Sequence, residues 1–160
     1  SWSEVDLATA SFGQGVAVTP IQVIRAVAAI ANDGLLVTPR VVKSTQKPKD
    51  ERVIGSEAAA KITAMMAEAA KNGEAKWTNL QGFKVAGKTG TAQIPIAGHY
   101  DEEKTNATFV GFAPYDNPKF VMLVTLREPS SSPWASETAA PLWYSIAKDL
   151  FPYLGIQPEE

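Results

Sequence analysis

The 160-residue sequence predicts an α+β fold in which helices flank an antiparallel sheet. Three observations carry that prediction. Two runs rich in β-branched and aromatic residues, Ala107–Ala113 and Phe120–Leu126, are joined by Pro114-Tyr115-Asp116-Asn117-Pro118, too short a link for the crossover that parallel strands need. Helical periodicity precedes and follows the strands instead of alternating with each one, which is the α+β order. Hydrophobic residues make up 45% of the chain and charged residues 20%, enough to bury an ordinary core in one domain.

Taken in order, Thr19-Pro20 marks a helix start, because threonine caps free amides and proline suits the first turn, and Gly34 marks its stop. Between them Ile21, Val23, Ile24, Ala26, Val27, Ala28 and Ile30 predict a helix buried on most sides. A short strand near Leu35–Val42 follows, then a polar connection through Lys43–Arg52. Ser56-Glu57 opens a second helix with the apolar stripe Ile62, Met65, Met66 and Ala69, and Asn72-Gly73 ends it. A strand spans Phe83 to Gln93 and a loop spans Ile94–Asn106, before the antiparallel pair. The last element, Ser136–Leu154, carries Ala140, Leu142, Trp143, Ile146, Leu150 and Phe151 at helical spacing and is predicted to cover one sheet face.

Composition narrows function. A net charge of −2 and no basic stripe disfavour nucleic acid as a partner. With no cysteine, disulfides and thiolate chemistry are excluded, which suits cytosol and cell envelope equally. No apolar run reaches the length of a membrane span, so any anchor is expected outside these residues.

The most informative stretch is Val85-Ala86-Gly87-Lys88-Thr89-Gly90-Thr91-Ala92-Gln93, which sets one cation, two hydroxyls and two glycines in one segment suited to anions. Gly82 to Thr89 also matches the phosphate loop G-x-x-x-x-G-K-[ST]. That loop needs a buried strand before it and a helix starting at its Lys-Thr. Lys76–Gln81 is too polar for the first, and Gly90, Pro95 and Gly98 interrupt the second. Read as a strand, Phe83, Val85, Gly87, Thr89 and Thr91 alternate with Lys84, Ala86, Lys88, Gly90 and Ala92. Gly87 and Gly90 are then expected to let another backbone approach the edge, and a bulge or twist at Gly90 to bring Lys88 to the side of Thr89 and Thr91.

Lys88-Thr89-Gly90-Thr91-Ala92, with Ser11-Phe12-Gly13-Gln14-Gly15, Val18-Thr19-Pro20-Ile21-Gln22, Ala31-Asn32-Asp33-Gly34 and Thr108-Phe109-Val110-Gly111-Phe112-Ala113-Pro114, resembles the penicillin-binding D,D-transpeptidases of class B, the cell-division type. The resemblance runs from about Trp2 to about Leu154. It implies a β-lactamase/transpeptidase-like fold represented by its C-terminal part only, with residues 1–34 a piece of the helical lobe and 35–154 the sheet lobe and covering helices. It also implies a serine acyl-enzyme that cross-links peptidoglycan stem peptides and binds β-lactams. In it, Lys88 lies beside the nucleophilic serine and manages protons and charge. Thr89 and Thr91 bond the terminal carboxylate of a D-Ala-D-Ala stem peptide or of a β-lactam. The Thr91 amide supplies half of an oxyanion hole, Gly90 keeps the strand approachable, and Gln93 lines the far end. No cofactor or metal is implied. Implied partners are the N-terminal part of the same protein and division proteins, at the extracytoplasmic face of the bacterial plasma membrane, with self-association of the uncovered chain.

The chain departs from the family pattern in one respect. It contains no S-x-N, and its two S-x-x-K matches, Ser44–Lys47 in a polar connection and Ser145–Lys148 after the third signature, are out of place. This chain is therefore expected to supply the K-T-G wall without a nucleophile and to be inactive alone. Other readings are a serine β-lactamase relative and a non-catalytic interaction module. His99 with Asp101, Glu102 and Glu103 reads as a solvated loop instead of a metal site. Trp77 reads as packing, and Trp134 as an aromatic pinned at the surface of the last helix, with a flap beside the cleft as its other reading.

Overall fold

The structure is a computed structural model that describes residues 2–43, 51–96 and 99–159, without the side chains of residue 96 and residues 99–103. Helix α1, Glu4–Ser11, starts at a reciprocal capping box between Ser3 and Asp6. Sequence periodicity missed it because its apolar residues form no stripe; none is buried, and Val5 and Leu7 are 69% and 67% exposed. Helix α2, Pro20–Ala31, begins as expected at a Thr19–Gln22 capping box. It is less buried than expected, with only Val27 and Ala29 inside and Ile21 exposed. Asp33 and Gly34 then reverse the chain at φ of 55° and 84°; a Cβ at Gly34 would run into the Ile54 carbonyl, so glycine is required there.

Strand β1, Leu35–Leu36, pairs antiparallel with β2, Glu51–Arg52. The strand expected to reach Val42 thus has two residues, and the far end of the polar connection is itself a strand. Arg52 explains the pairing, donating to the Asp33 carbonyl at 2.6 Å and pairing with its carboxylate at 3.3 Å. Ser44–Lys47 lies outside the described residues.

Helix α3, Ser56–Asn72, has Gly55 at its cap position, so Ser56 is the first helical residue and caps nothing. Its buried stripe is Ala59, Met66 and Ala70, with Ile62 half-buried. Met65 points out, at 70% exposed, because the stripe lies one position round the helix from that expected. A single 3-10 turn, Lys76–Thr78, leaves Trp77 63% exposed and so not packed.

The main sheet has the order β3-β4-β5, formed by Ala86–Ile96, His99–Ala113 and Phe120–Arg127, all antiparallel. The expected loop at 94–106 is instead the end of a long hairpin. Pro95 fits because β3 is the edge strand and the register shifts between Gln93 and Pro95. Helix α4, Ala139–Tyr153, packs its ridge Ala140, Trp143, Tyr144, Ala147 and Phe151 on one face of the sheet, where Phe109 and Val124 complete the core. Leu142 and Ile146, expected inside, are 42% and 38% exposed because they flank that ridge. Phe109 and Trp143 meet edge-on at 5.2 Å, and the indole nitrogen donates to the Met122 carbonyl at 2.9 Å. Val27 of α2 and Met66 of α3 cover the other face over Ala86 and Phe112. The sheet is therefore covered on both faces, and β3 carries the candidate site along its edge.

Candidate active site

On β3, pleating divides the motif between two faces. Lys88 sits opposite Val110 and Gly90 opposite Thr108, on the face shared with α2 and α3. Thr89 sits opposite Phe109 and Thr91 opposite Ala107, on the face covered by α4. The side chain of Lys88 nevertheless reaches across: its Nζ donates to the Thr89 carbonyl at 2.9 Å and to Thr89 Oγ1 at 3.2 Å. The expected bulge at Gly90 is absent, since pairing is continuous from Ala86 to Gln93. A four-carbon stem folding over an open edge does what the backbone was expected to do. Among the described residues no carboxylate pairs with Lys88, which leaves its charge available to an anion at the edge.

The glycines also answer to contacts within the sheet. A Cβ at Gly87 would lie 2.5 Å from the Phe109 ring, and one at Gly90 would lie 2.6 Å from Thr108 Oγ1. Both sites are crowded by cross-strand neighbours on β4, beneath the faces. Thr108 also donates to the Gly90 carbonyl at 3.1 Å, fixing the centre of the motif.

Thr91 is half-buried, and its Oγ1 accepts from the Ala135 amide at 3.1 Å. That amide lies in the segment before α4, which carries Trp134 at 57% exposed. The same segment is held at Pro133 by Thr105 and at Trp134 by Thr138, each hydroxyl donating to a carbonyl at 2.7 Å. Gln93 is exposed near the end of the regular pairing. Sequence reasoning missed Thr105, Thr108 and Thr138, because threonine in or beside a strand is unremarkable until its hydroxyl partner is known.

A largely apolar hollow of about 690 Å³ lies beside β3 on the α2 side, lined by Gly13–Val18, Val23, Ala92, Gln93, Thr108 and Leu123. A second hollow, about 1060 Å³, lies under the residues leading into β3. There Lys84 pairs with Asp116 at 2.7 Å and with Glu159. Asp116 first, then Glu159, push the Lys84 ammonium above the usual lysine range, and Lys84 in turn holds the Asp116 carboxyl below its usual range.

No helix begins at Lys88-Thr89, which lie inside β3, so the phosphate-loop geometry is missing. Ser145 and Lys148 are exposed on α4. His99 and Asp101–Glu103 fall in β4, and their side chains lie outside the description. Among the described residues no group of three metal-binding side chains gathers, and no helix is long and apolar enough to cross a membrane.

Three kinds of comparison with known proteins bear on the chain. The family model for the penicillin-binding protein transpeptidase domain matches residues 1–150. The stage V sporulation protein D of Bacillus subtilis is 35% identical over 98% of this chain and 26% of its own length. The peptidoglycan D,D-transpeptidase FtsI of Buchnera aphidicola is 33% identical over 99% of this chain and 29% of its own. Among solved structures, the apo transpeptidase domain of Burkholderia pseudomallei penicillin-binding protein 3 superposes with a TM-score of 0.90 at 31% identity, over 99% of this chain and 49% of that one. Penicillin-binding protein 3 of Mycobacterium tuberculosis, complexed with ampicillin, superposes with a TM-score of 0.87 at 30% identity, over 99% and 40%. The chain thus spans under a third of these two relatives and under half of these solved domains. It belongs to the class B penicillin-binding protein transpeptidase family.

Proposed function

We propose that this chain is the C-terminal part of a peptidoglycan D,D-transpeptidase domain, with residues 1–34 belonging to the helical lobe and 35–154 to the sheet lobe. In that reading the β3 edge is the wall that grips the terminal carboxylate of a D-Ala-D-Ala stem peptide or of a β-lactam. The observation that carries it is the Lys88 ammonium, without a described carboxylate partner, folded onto Thr89 at an edge strand. An extended peptide can add to such an edge through its backbone while the cation and hydroxyls hold its carboxylate. Lys88 supplies charge and proton management, Thr89 and Thr91 supply donors, the Thr91 amide supplies half of an oxyanion hole, and Gln93 lines the far end.

The reaction requires a nucleophilic serine in S-x-x-K and a second serine in S-x-N, and neither occurs in family order here. This chain alone therefore forms no acyl-enzyme. Intact-protein mass spectrometry after incubation with benzylpenicillin is expected to show the unmodified mass; a stable adduct would overturn this reading. An upstream reading frame encoding S-x-x-K and then S-x-N supports it, and upstream sequence without them contradicts it. The working site is assigned to the cell envelope, outside the cytoplasmic membrane, where stem peptides are cross-linked.

The uncovered β3 edge and an α1 with no buried residue make self-association of the isolated chain the expected state. Light scattering that found a strict monomer at high concentration would count against a missing lobe.

A further inference from the structure

We infer that Thr105 is a positioning residue for ligand recognition at Thr91, acting through the Pro133–Ala135 segment. Three consecutive residues of that segment are each tied to a threonine hydroxyl from a different part of the fold. The Pro133 carbonyl accepts from Thr105 on β4, the Trp134 carbonyl from Thr138 beside α4, and the Ala135 amide donates to Thr91 on β3. Trp134 and Ala135 each have a second hold besides these ties. The Trp134 carbonyl also accepts from the Glu137 amide at 3.1 Å, and Ala135 is held by its carbonyl to the Ala140 amide at 2.9 Å. Pro133 has no amide proton, and the Thr105 hydroxyl ties its carbonyl to the sheet. Thr105 is only 5% exposed, so its hydroxyl and the Pro133 carbonyl meet away from bulk water.

The register explains how one threonine sets the other. Thr105 and Ala107 are alternate residues on the same face of β4, and Ala107 sits opposite Thr91. Ala107 is fully buried and small, which leaves room for the Ala135 backbone to lie over it and reach Thr91. Anchored by Thr105 two residues away, the segment presents its Ala135 amide to the Thr91 oxygen. An amide can only donate, so that oxygen is fixed as an acceptor and its proton remains for a ligand. A hydroxyl that already accepts one bond is also the stronger donor. The arrangement suits an incoming carboxylate, which only accepts. This inference rests on the carboxylate-wall reading above.

Two measurements test it. In the 160-residue chain, amide exchange at Ala135 is expected to speed up about tenfold with Thr105→Val, to recover with Thr105→Ser, and to change little with Thr138→Val. Unchanged Ala135 protection in Thr105→Val overturns the inference whatever the chemistry does. In the full-length protein, acylation by benzylpenicillin is expected to fall about tenfold with Thr105→Val, while the slow reaction with its carboxylate methyl ester stays the same, and Thr105→Ser restores the acid. Equal losses on acid and ester mean general damage and sink it. Wild-type protein that does not distinguish acid from ester refutes the carboxylate wall instead, and the exchange result then still decides the positioning.

Discussion

The amide of Ala135 donates to the Thr91 hydroxyl at 3.1 Å, tying the start of the last helix to the edge strand across 44 residues of sequence. Thr91→Val keeps the shape and removes the acceptor, leaving a buried amide unpaired. Unfolding in denaturant should show a loss of about 1–3 kcal/mol, and Thr91→Ser should keep most of the stability. A neutral Thr91→Val would mean that the bond contributes nothing.

Gly87→Ala places a methyl group against the Phe109 ring, which Trp143 and Tyr144 hold from behind. The expected loss is about 1–3 kcal/mol, read from the midpoint of thermal or denaturant unfolding. The double variant Gly87→Ala, Phe109→Leu should lose less than the sum of its parts, because the smaller side chain removes the clash.

Trp143 is fully buried, packs on Phe109, Phe120 and Tyr144, and donates to the Met122 carbonyl. Trp143→Ala should cost about 3–5 kcal/mol, enough to unfold a marginal domain, as seen by circular dichroism. Retention of a cooperative melt at the wild-type temperature would show that α4 is not what closes this face.

The hydroxyl of Tyr144 is buried without a described hydrogen-bond partner, and burial drives its ionisation far above the usual tyrosine range. Tyr144→Phe removes an unsatisfied group and should leave stability equal or raise it by about 1 kcal/mol. A clear loss in the melt would reveal a partner for that oxygen in solution.

The Lys84 cluster sets a pH window. Asp116 and then Glu159 raise the Lys84 value, so that contribution is complete below the ordinary lysine value of about 10.4 and is lost as pH rises through the raised one. Asp116 is lowered by Lys84, so its share is complete above about 3.9 and is lost as pH falls through the lowered value. Lys84→Met should therefore melt below wild type at neutral pH, with the gap closing on acidification. A gap that widens in acid would contradict the pairing.

Much was legible in the sequence because some signals are local. Thr19-Pro20 caps and starts α2 through bonds within four residues, and the Pro114–Pro118 link forces antiparallel pairing whatever surrounds it. The motif Lys88-Thr89-Gly90-Thr91 could be placed on a strand for the same reason. What only the tertiary structure decided depends on contacts between distant residues. Which side of α3 faces inward turned Met65 out and Ala59 in, and which ridge of α4 meets the sheet turned Leu142 out and Tyr144 in. Both helices had apolar residues to spare, and packing chose among them. Gly87 and Gly90 could be read as glycines but not as consequences of Phe109 and Thr108, and Thr105 could not be separated from any other strand threonine before its hydroxyl was seen on Pro133. A side chain's chemistry is written in the chain, whereas its partner is set by the register and by the packing of helices against both faces of the sheet.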